Sequence, residues 1–89
     1  MERSRAIEII HDEGLINYNF FDDRDDRENE VVIVEKTGKW IVYVTDERAS
    51  EITNSSNEYI NESEAIDNFI KRLRTFNKVL RRCKKRTTS

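Results

Sequence analysis

The chain has 89 residues, 38% of them charged and 36% hydrophobic, with two glycines, one cysteine and no proline. A chain of this length supports one small core, burying about 60% of its unfolded surface. A lone Cys83 excludes an internal disulfide, and a reducing, cytoplasmic setting is the expectation. Met1 to Arg5 is charged and no apolar run follows it, so no secretory leader is expected. Apolar runs such as Val31 to Val34 are far too short to cross a membrane.

Charge is strongly segregated. All 18 carboxylates and 7 of the 16 basic side chains fall in residues 1–70, whereas residues 71–89 carry the other 9 basic side chains and no acid. The densest acidic stretch is Asp22-Asp23-Arg24-Asp25-Asp26-Arg27-Glu28-Asn29-Glu30, with six carboxylates in nine residues. Such asymmetry bears on partners and association rates, not on fold.

In chain order, Ser4 to Glu13 reads as a short helix. Ser4 is its N-cap, Ala6, Ile7, Ile9 and Ile10 form its apolar face, and Gly14 is its left-handed C-cap. Leu15 to Phe21, with Tyr18, Phe20 and Phe21, suits a strand. Val31 to Glu35 and Lys39 to Thr45 then read as a hairpin around Lys36-Thr37-Gly38. A type I turn with Gly38 as the bulge residue would pair Glu35 with Lys39 and Val34 with Trp40; a two-residue turn would shift that register. In either register both faces are apolar, so both need cover: a helix on each face, or a partner on the second. Asp46 to Ser50 is a polar turn, and Glu51 to Ile60 a more polar edge strand with a break in its Ser/Asn run.

The last element is a long helix. Asn61 caps it, Glu62 and Glu64 suit its N-terminus, and Ile66, Phe69, Ile70, Leu73, Phe76, Leu80 and Cys83 recur at helical spacing along one face. The expected fold is therefore α+β: a short N-terminal helix, an antiparallel meander of three or four strands, and a long C-terminal helix packed on the sheet. One domain is expected over residues 1–83, followed by a basic, disordered tail at 84–89.

Chemistry is hard to find in this sequence. His11 and Cys83 are its single histidine and single thiol, and Cys83 continues the apolar stripe of the helix. No phosphate-binding glycine loop or hydrolase motif occurs. Read as a calcium loop from Asp23, the acidic stretch puts Arg27 at the fifth position and Glu28 where glycine belongs, so the match fails. The expectation is a protein without catalysis, metal or cofactor. Closely packed carboxylates repel one another, and a cationic partner relieves that repulsion. The basic helix end has its own reading as a phosphate binder, against which stands the acidic remainder of the chain.

Val32 to Ala49, and Asn61 to Arg74 with Glu62, Ala65, Ile66, Phe69 and Leu73, resemble a family of small bacterial immunity proteins encoded beside polymorphic or contact-dependent toxins. The resemblance covers about three-quarters of the chain and includes the first helix around Ala6 to Gly14. The distinctive piece is Trp40 to Arg48, ending in Thr45-Asp46-Glu47-Arg48; the segment after Asn77 lies outside the resemblance. The resemblance implies a stoichiometric inhibitor whose partner is a cognate toxin. If that toxin is a nuclease, the acidic stretch (Asp22, Asp23, Asp25, Asp26, Glu28, Glu30) is expected to meet its basic cleft. Asp46, Glu47 and Glu51 would extend the surface, with Tyr18 or Tyr43 as aromatic anchors. The alternatives are a nucleic-acid-binding regulator that uses the basic helix, and a homodimeric interaction module.

Overall fold

A computed structural model describes residues 1–50, 52 and 55–88, with side chains described as far as Leu80. Its elements are α1 (Arg3–Glu13), β1 (Tyr18–Phe20), β2 (Val31–Lys36), β3 (Lys39–Val44), β4 (Asn57–Tyr59) and α2 (Glu62–Thr88), with the strands side by side in chain order. The class is the α+β expected. One orientation differs: β1 runs parallel to β2, and only β2–β3 and β3–β4 are antiparallel. Neighbouring parallel strands cannot be closed by a hairpin. The chain must leave Phe20, return across the sheet and enter again at Val31, and the acidic stretch makes that return.

The hairpin uses the shorter turn. Thr37 (φ 48°) and Gly38 (φ 78°) are both left-handed, the geometry of a two-residue primed turn. Glu35 therefore pairs with Trp40 and Val34 with Ile41, one residue away from the bulged register. A β-branched residue was a poor signal for this turn, because left-handed backbone favours Gly, Asn or Asp.

Alternation along the strands puts Tyr18, Phe20, Val31, Ile33, Val42, Val44, Trp40 and Tyr59 on one face. Across it lies α2, whose Ala65, Ile66, Phe69, Ile70 and Leu73 are essentially inaccessible to solvent. Full burial of each larger side chain stabilises the fold by about 1.5–3 kcal/mol, which makes this stripe the main source of stability. The same core takes Ala6, Ile9 and Ile10 of α1, which packs against α2, while Ile7 remains half exposed. Both helices thus share one face instead of taking one each.

The helix ends are tied down by polar groups. Asn61 Oδ1 accepts the Ser63 and Glu64 N–H groups at 2.8 and 3.4 Å and so caps α2. The N-cap of α1 is Glu2 rather than Ser4, with no side-chain bond, and left-handed Gly14 (φ 60°) ends the helix. Glu62 accepts hydrogen bonds from Arg3 Nε (2.9 Å) and Trp40 Nε1 (3.2 Å), joining α1, β3 and α2 at one carboxylate. Asn77, 4% exposed, occupies an inward position that the apolar stripe did not foretell. Its amide donates to the Ile16 carbonyl (3.1 Å) and accepts the Ile16 N–H (3.0 Å), fastening the α1–β1 loop to α2.

The hairpin turn is open to improvement. Replacing Thr37 by Asn keeps the left-handed conformation with a residue that adopts it readily, and is expected to stabilise the protein by about 1 kcal/mol in urea unfolding.

Candidate partner-binding site

The return from β1 to β2 begins at Phe21, whose φ of 60° turns the chain out of the strand, and ends at Asn29 (φ 50°). Arg3 lies over the Phe21 ring, 3.9 Å from its centroid, holding the start of the loop against α1. The loop crosses the sheet face opposite α2. Asn19 and Tyr43, the register neighbours of Val32 on that face, both bond to it. Asn19 Oδ1 accepts the Asp22 N–H at 2.8 Å, and the Tyr43 hydroxyl donates to the Asp26 carboxylate at 2.8 Å. Val32, between them, is fully buried. The second apolar face is covered, in part, by the acidic loop itself.

Glu30 organises the far end. Its side chain is 3% exposed and bonded twice by the Arg24 guanidinium, at 2.9 and 3.1 Å. It also accepts the Arg27 N–H at 2.9 Å. The Glu30 N–H in turn donates to Thr45 Oγ1 (2.9 Å), whose hydroxyl donates to the Arg27 carbonyl (2.7 Å). The Glu30 carboxylate raises the Arg24 pKa, chiefly through this hydrogen bonding. With Asn29 N–H donating to the Asp46 carbonyl at 2.9 Å, the loop and the 46–50 turn form one surface at one end of the sheet. Asp46 closes that turn on itself: Oδ1 accepts the Arg48 and Ser50 N–H groups at 2.8 and 3.1 Å. These bonds, Arg48 first, hold its carboxyl below the usual carboxylate range.

The sequence-predicted surface residues therefore separate. Asp22, Asp23, Asp25 and Glu28 are exposed on the loop, and Glu47 is exposed on the adjoining turn. Glu30 is buried and Asp26 is half-buried against Tyr43, so both are spent on holding the loop, and Glu30 is removed from the surface. Asp46 is half-buried and committed to its turn, and Glu51 lies outside the described residues. Neither tyrosine is fully exposed: Tyr43 is half-buried under the loop and Tyr18 half-buried at its other side. Arg24, Thr45 and Asn19 were missed as organising residues. The one available signal was a pair of arginines inside an otherwise acidic run.

The basic helix is partly consumed in the same way. Arg74 pairs with Glu13 at 2.5 Å, and Arg72 donates to the Ser55 carbonyl at 2.5 Å. Among the described residues no group of three His, Cys, Asp or Glu side chains could hold a metal ion, and no helix is long and apolar enough to cross a membrane.

Two outcomes follow from this geometry. Arg24→Met strands the Glu30 carboxylate in the interior and is expected to cost about 3 kcal/mol in urea unfolding, most of it recovered in Arg24→Met/Glu30→Gln. Because the Asp46 pKa is depressed in the folded state, its contribution is present above the unfolded value and lost as pH falls through the folded one. Asp46→Ala should thus lower the melting temperature at neutral pH, and the difference from the parent should vanish in strong acid.

No curated protein and no solved structure matches the chain. The immunity protein 59 family is matched over residues 3–88, which takes in both helices, the whole sheet and the loop that crosses it. The chain belongs to the immunity protein 59 family and is an immunity protein of a toxin system.

Proposed function

We propose that this immunity protein neutralises its cognate toxin in the cytoplasm by tight binding, without chemistry of its own, and that the acidic loop is its contact surface. The observation that carries the reading is the division of labour among the six loop carboxylates. Glu30 and Asp26 are spent on fixing the loop to Arg24 and Tyr43, which leaves Asp23, Asp25 and Glu28, and Asp22 at 3.9 Å from Arg24, exposed on a pinned backbone. Repelling charges held in place are costly in the free protein and favourable once a basic surface arrives. Fixing them beforehand lowers the ordering cost of association. A nuclease, whose cleft must attract phosphates, is the toxin class that this surface suits best. Glu47 extends the patch from the neighbouring turn.

The test is the association rate with the toxin encoded beside the gene. Asp22→Asn, Asp23→Asn, Asp25→Asn and Glu28→Gln combined should slow association by about tenfold or more at low ionic strength and flatten its salt dependence. An unchanged rate with an unchanged salt response removes the loop from the interface.

A further inference from the structure

On the α2 side of the sheet, beside the end of β3, lies a groove of about 440 Å³, large enough for one or more side chains. Its exposed lining is mostly apolar: Val44 and Phe76 are half-buried, and Val79 is 49% exposed. The charges that line it are of one sign. Lys71 and Arg72 reach it, and among the described residues no carboxylate does. Lys71 is exposed and in no ion pair among the described residues. The Arg72 guanidinium donates to the Val42 and Ser55 carbonyls, at 3.4 and 2.5 Å, which fix its position without cancelling its charge. Asn68 Oδ1, in the groove wall, is buried without a hydrogen-bond partner, a costly state for an acceptor that a donor on an occupant would relieve. Val44 is the register partner of Val31, so the groove starts at the end of the sheet where the acidic loop re-enters at Glu30, on the opposite face.

We propose that this groove is a second contact for the toxin and receives a large apolar side chain flanked by a carboxylate. The apolar group covers Val44, Phe76 and Val79, and the carboxylate meets Lys71 and Arg72. An apolar recess rimmed by polar groups is a common mark of a protein contact. Its unopposed positive charge selects an acidic segment by complementarity. The acidic stretch of a second copy fits less well, because Asp22 to Glu28 contains no apolar residue to cover the floor. A toxin that grips this end of the sheet reaches the loop on one face and the groove on the other. The inference rests on the toxin being bound, and it adds to the acidic surface a contact of opposite charge.

Three substitutions at exposed positions test it in dissociation measurements with the toxin encoded beside the gene, each variant first checked for an unchanged thermal transition. Val79→Ser removes apolar surface, Thr75→Trp fills the groove, and Lys71→Glu reverses its charge. Each should speed dissociation by about tenfold. Parent dissociation rates in all three overturn the inference; if neutralising the loop carboxylates still slows association, the acidic-surface reading stands without it. A change in Lys71→Glu alone also overturns it, since the apolar contact is then absent. Two further outcomes assign the groove to another occupant and overturn it as well. One is a parent dimer in sedimentation that Val79→Ser makes monomeric, with toxin dissociation unchanged. The other is binding of a single-stranded oligonucleotide that Lys71→Glu abolishes, again with toxin dissociation unchanged.

Discussion

Two neighbouring parallel strands force the chain to travel back across the sheet between them, and here only the residues from Phe21 to Glu30 are available for it. Such returns are usually helical and longer. This one is an irregular, highly charged segment laid over apolar residues, where unpaired backbone groups are costly. The Glu30 carboxylate resolves the conflict. Buried and bonded to the Arg24 guanidinium and the Arg27 N–H, it supplies inside the loop the partners that a helix would have taken from its own backbone. Thr45 completes the arrangement from β3, accepting from Glu30 N–H and donating to the Arg27 carbonyl.

The two sides of the sheet are stabilised by different physics. On the α2 side, dense apolar packing around Phe69, Ile33 and Val42 dominates, and polar groups enter only at the margins, as at Glu62 and Asn77. On the loop side one buried valine, Val32, is covered by a segment held through hydrogen bonds and one buried ion pair. Buried ion pairs contribute little net stability beside an apolar alternative, yet they define geometry closely. A surface meant to present charges in a set arrangement gains from that exchange. Under the proposed function, fold and binding use the same loop: some of its carboxylates fix the backbone that displays the others.

Much of this was legible in the residues. The β2–β3 hairpin, the apolar stripe of α2, its Asn61 cap and the Gly14 terminus each follow from local patterns that depend on near neighbours. What escaped is what depends on distant ones. The parallel pairing of β1 has no local signature, because Tyr18 to Phe20 reads the same in either direction. The hairpin register turned on Thr37 accepting a left-handed conformation that its β-branched side chain disfavours. The burial of Glu30 turned on Arg24 folding back six residues, a contact that composition alone presents as an ordinary charge run. The candidate site was legible as an acidic segment, but not as a segment with an inside and an outside.

Amide hydrogen exchange on the free protein addresses the central point most directly. If the loop is pinned by its own buried carboxylate, the N–H groups of Asp22, Arg27, Asn29 and Glu30, bonded to Asn19, Glu30, Asp46 and Thr45, exchange nearly as slowly as those of β2. Exchange of these four amides at the rate of an unstructured chain, with β2 still protected, would contradict a prearranged surface.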